Sequence, residues 1–214
     1  MNIFNKYKRQ LEEHETTSID KKHKQFDTVG AVCIDDNDCI ASGVSSGGLI
    51  LKKEGRIGQA SILGSGCWTE RNAAVTTSGI GEYLIRTSLA RKTIENLNND
   101  HTSTIVEKLV QVFNDDFFGN NINQVSVFLF KMKNITGSPL MKNVPREDHL
   151  AGILGLSTDT DNIEMFWAHS TKSMCIGYMD SKFTSGKSFI SDLDSSSQPG
   201  VSIIVQSKLF RNKH

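Results

Sequence analysis

The sequence predicts an α+β protein in which strands and helices are arranged in layers. Two short apolar runs, at residues 29–34 and 39–45, flank four turn-forming residues, a pattern typical of a β-hairpin. Apolar residues at helical spacing predict a helix from residue 79 to about residue 98 and a second helix over residues 102–113. Strands in consecutive runs around a helical pair favour an α+β layered architecture.

The remaining elements are predicted from their local sequence. Residues 73–77 predict a short strand, and the first helix takes its apolar face from Leu84, Ile85, Leu89 and Ile94. Strands are also expected at residues 124–130, 150–156, 163–168, 173–179 and 201–205, with a polar insert near residues 133–148 and a loop at residues 195–200. The acidic residues 35–38 are predicted to form a plain turn, because they lack the glycine and distal glutamate of a calcium-binding EF-hand loop.

Length and charge restrict the class of protein. The chain has 214 residues, which suggests one domain or slightly more. Lys plus Arg equal Asp plus Glu at 24 each, so no overall field attracts nucleic acid or an anionic membrane. No apolar run of about 18 residues and no signal-peptide pattern is present, so we expect an intracellular protein of the cytoplasm, the nucleus or both.

The four cysteines show neither metal-ligand pairing nor the density of a disulfide-rich protein. We expect them to be reduced thiols, mostly in the core. No metal or organic cofactor is expected. Residues 1–27 are polar and charged and are predicted to form a flexible linker. Their basic residues allow a nuclear-import patch as the alternative to a solvated linker.

The strongest candidate for chemistry is Thr28, which follows Asp27 and enters an apolar run. A hydroxyl needs a base within hydrogen-bond reach, and an N-terminal threonine carries one in its own α-amine. That amine has a reference pKa of about 8, so a useful fraction is unprotonated near neutral pH. Because the amine exists only after the bond between Asp27 and Thr28 is cut, the sequence predicts a precursor that cleaves itself at this bond.

Several motifs in shared order resemble one enzyme family. They are DTVGAV at residues 27–32, VSSGG at 44–48, GRIGQA at 55–60, GSGCW at 64–68, TSGIGE at 77–82, RTSLAR at 86–91 and HSTKSMCIGYM at 169–179. From Thr28 onward the chain resembles the catalytic subunit of the asparaginase-like N-terminal-nucleophile (Ntn) hydrolases, and within them the threonine aspartases, or taspases. The last motif favours the aspartase branch over the asparaginases.

The resemblance implies a four-layer αββα sandwich of which this chain carries only the C-terminal, catalytic half. Residues 1–27 then form the linker before the autocleavage site, and residues 28–214 form the catalytic β-subunit. The family places a large N-terminal half ahead of the nucleophile, so an α-subunit is an expected partner, and the resemblance implies a homodimer of heterodimers. The chain is then a partial sequence, one of two separate chains, or a degenerate relative.

The resemblance also assigns site residues. A hairpin brings Ser46 back beside Thr28, where the family places a second hydroxyl that tunes the nucleophile; a turn serine is the alternative. Arg56 is expected to anchor a substrate carboxylate, since a guanidinium binds carboxylates in a bidentate fashion. Asparaginases carry an aspartate three residues later for the substrate ammonium, and here that position is the neutral Gln59.

Ser78 and Gly79 precede the first predicted helix, where unpaired backbone amides favour negative charge. They match the family's oxyanion hole, and a simple helix N-cap with Glu82 in the first turn is the other interpretation. Trp68, Trp167 and His169 are predicted to be structural.

Three functions remain open on sequence alone. The first is a threonine endopeptidase that cleaves proteins after aspartate, because Gln59 leaves a free amino acid without its ammonium partner and residues 25–27 match the Gln-x-Asp pattern that taspases cleave. The second is a non-catalytic remnant or binding subunit. The third is an asparaginase or isoaspartyl peptidase, which Gln59 disfavours.

Overall fold

The structure is a computed structural model that describes residues 28–49, 52–99, 102–118, 141, 144–159 and 162–211. Its first element is the predicted hairpin, formed by β1 (Thr28–Ile34) and β2 (Ile40–Ser46) in antiparallel register. The Asp35 carboxylate closes the turn, accepting hydrogen bonds from the backbone N–H groups of Asn37 and Cys39, each at 2.8 Å. This geometry confirms the plain acidic turn.

The centre of the molecule is a five-stranded antiparallel sheet in the order β3-β4-β5-β6-β9. Its strands are β3 (Cys67–Glu70), β4 (Ala73–Gly79), β5 (Ala151–Thr158), β6 (Asn162–His169) and β9 (Ile204–Arg211). A second hairpin consists of β7 (Ser173–Tyr178) and β8 (Lys187–Asp192). The strands predicted at 73–77, 150–156, 163–168 and 173–179 are confirmed, whereas β3 and β8 are not predicted.

Two sequence predictions in the sheet and helices are wrong. The strand predicted at 201–205 begins at Ile204 and continues to Arg211. The single helix predicted from residue 79 is two helices, α1 (Gly81–Thr87) and α2 (Leu89–Asn99), which are separated by Ser88 in a left-handed conformation with φ of 49°. A left-handed residue cannot continue a right-handed helix, so the chain changes direction there.

The second predicted helix is shorter than expected. It is α3 (Ile105–Val112), which begins at a capping box between Thr104 and Glu107 and continues into a π-helical turn, Phe113–Phe117. The capping box satisfies two backbone N–H groups that the first turn would otherwise leave unpaired, which explains why the helix begins after residue 102.

The main core lies between the central sheet and the three helices, on a side that we call the helix face. Alternate strand residues point towards the helices and are fully buried, among them Val75, Ile153 and Phe166. They pack against apolar side chains of all three helices, including Leu84, Ile94 and Leu109. This cluster is the largest in the described part of the chain.

The opposite side of the sheet, which we call the hairpin face, is covered by the two hairpins. Gly30 of β1 lies directly against the side chain of Thr76 in β4. At the other end, Ile176 of β7 packs with Met165 and Trp167 of β6 in a small buried cluster. The described layers are therefore helices, central sheet and hairpins, a mixed α and β architecture with antiparallel sheets.

Several predictions fall on other parts of the chain. The linker at residues 1–27, the strand at 124–130 and most of the polar insert lie outside the described residues. The fourth layer of the expected sandwich is not among the described elements. Within the described ranges, no helix is long and apolar enough to cross a membrane.

The expectation that the cysteines lie mostly in the core is wrong. All four are free, but Cys33, Cys39 and Cys175 are exposed and Cys67 is half-buried. Cys33 and Cys175 belong to the two hairpins, whose outer surfaces no described element covers, and Cys39 lies beside the acidic turn.

Candidate active site

Thr28 is the first residue of β1, and its backbone is paired with Ser46 at the end of β2. Its hydroxyl donates a hydrogen bond to Ser46 Oγ at 3.1 Å. It also accepts one from Gln59 Nε2 at 3.2 Å. The side chain predicted to be the nucleophile is thus held between two polar groups and is only half-buried, which leaves it accessible to a substrate.

Ser46 acts as a hydrogen-bond acceptor in this arrangement. Its oxygen accepts from the backbone N–H of Gly48 at 3.1 Å as well as from Thr28. The hairpin therefore brings the second hydroxyl to the first, as the sequence predicted. The turn-serine interpretation is also satisfied, because the bond to Gly48 spans two residues as in a serine turn. That Ser46 tunes Thr28 remains a prediction.

Gln59 lies within hydrogen-bond distance of the Thr28 hydroxyl, a contact that the sequence did not predict. It lies in a short 3₁₀ turn, Gln59–Ser61, and is almost completely buried, with 3 % of its surface exposed. A Cβ on Gly66 would lie 2.7 Å from the Gln59 carbonyl oxygen, and a Cβ on Gly81 would lie 2.8 Å from Gln59 Oε1. These two glycines allow the main chain to close around Gln59, which fixes the amide that points at Thr28.

Arg56 is held by an acidic residue of the same chain. Both its Nε, at 3.0 Å, and its Nη2, at 2.6 Å, donate to a single oxygen of Glu82 in the first turn of α1. Burial acts to raise the pKa of the Glu82 carboxyl, but the hydrogen bond from Arg56, a backbone hydrogen bond at Glu82 and the charge of Arg56 together outweigh it, and the pKa is lowered. A substrate carboxylate would therefore meet a guanidinium that already has a counter-ion.

The predicted oxyanion-hole residues lie at the end of β4. Ser78 and Gly79 pair with Gly152 and Ala151 of β5. The helix begins at Gly81 with Ile80 as its N-cap and without a side-chain capping bond, so the interpretation of Ser78 or Gly79 as a helix cap is wrong. The oxyanion role itself remains a prediction.

His169 occupies a structural position, as predicted. It is completely buried at the end of β6, and its Nδ1 lies 2.9 Å from the carbonyl oxygen of Thr171. Since a carbonyl only accepts, Nδ1 carries the proton and Nε2 accepts from the Ser191 hydroxyl at 2.9 Å. Burial lowers the pKa of His169 despite the bond to Thr171, so the ring is neutral. It joins β6 to the second hairpin.

A family model described as Asparaginase (Asparaginase_2) matches residues 2–117. The chain belongs to this asparaginase family. It is 34 % identical over 100 residues to the human isoaspartyl peptidase/L-asparaginase, an alignment that covers 46 % of this chain and 32 % of the relative. It is also 43 % identical over 72 residues to a putative isoaspartyl peptidase/L-asparaginase of Dictyostelium discoideum, covering 34 % of this chain and 20 % of the relative.

A plant-type L-asparaginase of Pyrobaculum calidifontis is 37 % identical over 89 residues, covering 40 % of this chain and 29 % of the relative. The chain spans about a fifth to a third of the length of these relatives. They are hydrolases of the Ntn type, and the mixed, antiparallel fold is consistent with a domain of that family. Their names match the asparaginase or isoaspartyl peptidase alternative better than the taspase assignment.

Two site contacts in this asparaginase-family chain could not be predicted from local sequence. Gln59 reaches Thr28 across 31 positions, and Glu82 reaches Arg56 across 26. For the contact between Gln59 and Thr28, the one signal in the sequence was the glycines of GRIGQA and GSGCW. Such glycines indicate that backbone segments approach closely, but they do not show which residue Gln59 contacts.

Proposed function

We propose that the chain is an N-terminal-threonine hydrolase that cleaves itself between Asp27 and Thr28 and then hydrolyses the side-chain amide bond of an aspartyl group. The substrate class is that of the isoaspartyl peptidase/L-asparaginase relatives. The observation that carries the proposal is the Thr28 hydroxyl between Ser46 Oγ and Gln59 Nε2, at the start of a strand.

Self-cleavage starts when Thr28 Oγ1 adds to the carbonyl carbon of Asp27. The bond from that carbon to the Thr28 nitrogen breaks, the hydroxyl proton passes to the departing nitrogen, and an ester joins the two residues. The Thr28 amine is then free, and water hydrolyses the ester to give an Asp27 carboxyl group and the restored Thr28 hydroxyl. The hydrogen bond from Thr28 to Ser46 gives the hydroxyl proton a defined direction before attack.

In the mature form the α-amine serves as the base. It accepts the hydroxyl proton while Oγ1 attacks the substrate amide, and it returns that proton to the leaving ammonia or amine. The resulting ester on Thr28 is hydrolysed by water. Gln59, which donates to Oγ1 before the reaction, keeps the oxygen in place while its proton leaves. Arg56 supplies the positive charge for the substrate carboxylate, in exchange with Glu82.

Ser78 and Gly79 are proposed to stabilise the oxyanion of the tetrahedral intermediate. In other hydrolases the loss of one such donor lowers kcat by about 10²- to 10³-fold. Ser78→Ala removes a side-chain donor and leaves the backbone unchanged, so it separates the hydroxyl from the Gly79 N–H. A loss of activity without a loss of thermal stability supports the assignment.

The test is the intact mass of the purified chain before and after incubation, together with ammonia release from L-asparagine and the release of the second amino acid from a β-aspartyl dipeptide. In the presence of the N-terminal half proposed below, we expect two fragments that meet at Asp27 and Thr28, and hydrolysis of the β-aspartyl bond. Thr28→Ala abolishes both, while Thr28→Ser retains part of each. Cleavage at the same bond in Thr28→Ala contradicts the proposal.

A threonine endopeptidase of the taspase type is the second candidate, and Gln59 favours it. An asparaginase holds the substrate ammonium with an acid at the matching position, whereas a protein substrate presents an uncharged amide there. The sequence Gln-Phe-Asp at residues 25–27 is then the enzyme's own substrate pattern. Peptides with a Gln-x-Asp sequence, compared with the β-aspartyl dipeptide, separate the two candidates, and Gln59→Asp shifts activity towards the dipeptide.

We also propose that activity requires an N-terminal half, because the chain spans only a fifth to a third of its relatives. A dimer of processed heterodimers is the assembly expected from the family resemblance. If the chain stays intact and inactive even with such a half added, the remaining function is that of a non-catalytic binding subunit. Mixing the chain with a separately expressed N-terminal half, followed by intact mass, makes the distinction.

A further inference from the structure

Lys52 lies beside the candidate site, in the loop that follows β2. Its ammonium group donates a hydrogen bond to the carbonyl oxygen of Gly47 at 2.9 Å. The next residue, Gly48, donates its backbone N–H to the same Ser46 oxygen that accepts from Thr28. Lys52 is therefore bonded to the turn that contacts the residue proposed as the nucleophile.

The ammonium group of Lys52 and the guanidinium group of Arg56 lie against the same residue, Gly48. A Cβ built on Gly48 would lie 3.1 Å from Arg56 Nη1 and 3.4 Å from Lys52 Nζ. Gly48 has a φ of 73°, which glycine adopts without strain, and it has no side chain to separate the two cations. The two oxygens of one carboxylate can therefore accept hydrogen bonds from both nitrogens.

Both nitrogens have donors left for such a carboxylate. Glu82 accepts from Nε and Nη2 of Arg56, which leaves Nη1 to the Gly48 side. An ammonium group has three N–H donors, and the Gly47 carbonyl takes one of those of Lys52. Within the described ranges, no carboxylate forms an ion pair with Lys52.

The charges of the loop make Lys52 the source of the net positive charge. Glu82 neutralises Arg56, so this pair attracts a distant anion only weakly. Lys53 and Glu54 are both exposed and carry opposite charges. Lys52 adds one positive charge that no described carboxylate offsets. A substrate carboxylate is therefore attracted by Lys52 and oriented by the planar guanidinium group of Arg56.

We infer that Lys52 is a second substrate-binding residue, which binds the α-carboxylate of an aspartyl substrate together with Nη1 of Arg56. The identity of the substrate rests on the function proposed above, whereas the pair of cations at Gly48 does not. Lys52 then determines specificity, because a substrate whose α-carboxylate is replaced by an uncharged amide loses the partner of the ammonium group.

The experiment measures binding instead of turnover, so its result does not depend on catalysis. L-Aspartate, the product of L-asparagine hydrolysis, is titrated into the isotope-labelled full chain, alone and mixed with the N-terminal half, and the backbone amide of Gly48 is followed by NMR. L-Isoasparagine is the matched ligand, since it differs from L-aspartate only in having an amide in place of the α-carboxylate. The variants are Lys52→Met, Lys52→Arg and, as the matched control, Lys53→Met.

We expect L-aspartate to shift the Gly48 amide and L-isoasparagine to bind more weakly. Lys52→Met raises the Kd for L-aspartate about threefold to fivefold, the size expected for a partly exposed charge pair. Lys52→Arg keeps the charge and stays closer to the wild-type Kd. Lys53→Met removes the same charge one residue away and leaves the Kd unchanged. The Kd for L-isoasparagine is the same in Lys52→Met and in the wild-type chain.

Several results overturn the inference. If Lys53→Met weakens L-aspartate as much as Lys52→Met does, the effect is one of general charge. If Lys52→Met weakens L-isoasparagine equally, Lys52 only orders the turn at Gly47. A Gly48 amide that L-aspartate does not shift in either preparation removes the site. Binding of L-aspartate that depends on Lys52, in a chain that neither cleaves itself nor hydrolyses substrate, contradicts the proposed function and supports this inference. Melting curves of all variants exclude unfolding as the cause.

Discussion

The helix face and the hairpin face of the central sheet are built from alternate residues of the same strands, yet they are packed differently. On the helix face, three helices and the π-helical turn bury a cluster that includes Leu109, Phe113 and Phe117 completely. On the hairpin face, the buried cluster contains only Met165, Trp167 and Ile176 among the described residues. The helix face therefore supplies most of the folding free energy of the described chain.

The difference also separates the candidate site residues. Thr28, Ser46 and Gln59 all belong to the hairpin layer or to the loop beside it. A layer with few buried contacts opens at low free energy, whereas a dense core does not. In this molecule the rigid face holds the strand β4 that ends in Ser78 and Gly79, and the sparsely packed face carries Thr28, the residue proposed as the nucleophile.

Truncating neighbouring residues of β5 gives the largest expected contrast between the faces. Ile153→Ala leaves a cavity in the helix-face core and should lower the free energy of unfolding by about 3 to 4 kcal/mol. Leu154→Ala removes a partly buried side chain on the hairpin face and should lower the free energy of unfolding by about 1 to 2 kcal/mol. Urea denaturation with unchanged m-values measures both. Equal losses would mean that the hairpin face is covered as well as the helix face.

Adding one methyl group near Thr28 tests whether the glycines position Gln59. A Cβ in Gly66→Ala would lie 2.7 Å from the Gln59 carbonyl oxygen and 2.8 Å from Val44 Cγ1. The overlap should destabilise the fold by about 1 to 3 kcal/mol and move the Gln59 amide, so self-cleavage slows. Gly43→Ala is the matched control, because its Cβ meets nothing within 4 Å. Melting temperature and intact mass are the measurements.

Acid should weaken the hairpin face through His169, whose pKa burial lowers from the ordinary value of 6.5. Unfolding returns the ring to water, so below about pH 6.5 the unfolded chain binds a proton that the folded chain does not. The folded state therefore has its full stability above about pH 6.5, and it loses stability as the pH falls towards the lowered pKa of His169 in the folded chain. In His169→Gln the fall in stability between pH 7 and pH 5 should be shallower.

A second histidine provides the comparison for that pH experiment. Burial also lowers the pKa of His149, which lies against the rings of Phe117 and Phe118 on the helix face. Hydrogen exchange at pH 5.5 should show β7 and β8 opening before the helices, since His169 is bonded to Ser191 of β8. If the helices exchange first, the helix face is the acid-sensitive one.

Local patterns predicted the elements of this fold better than its contacts. The first hairpin follows from apolar runs around four turn residues, and its register alone brings Ser46 to Thr28. The break at Ser88 has no such signal, because serine is not a typical left-handed residue and the apolar spacing continues through it. Strand β3 has only four residues, too few to establish a period.

Candidate site residues could be predicted where their own chemistry or the hairpin register pointed to them. Contacts between segments distant in sequence could not be predicted. Thr28 was singled out by the self-sufficiency of an N-terminal threonine, and Arg56 by its glycine-flanked loop. The pair between Glu82 and Arg56 depends on how α1 packs against the 3₁₀ turn at Gln59–Ser61. No local sequence pattern predicts this packing. The sequence thus proposed candidate reacting groups, but it did not predict which distant residues contact them.

The smallest expected effects on stability come from two helical glutamates, Glu82 and Glu95, each of which forms an ion pair with an arginine. Glu95→Gln breaks exposed pairs with Arg91 and Lys92, and water screens these charges, so we expect a change of at most about 0.5 kcal/mol. Glu82→Gln should change stability as little, because Glu82 is half exposed, but it leaves the charge of Arg56 uncompensated. The KM for a substrate with a free carboxylate should then fall a few-fold while kcat stays constant. If KM instead rises in Glu82→Gln while the KM of Glu95→Gln stays at the wild-type value, Glu82 orients Arg56 and does not compete with the substrate for it.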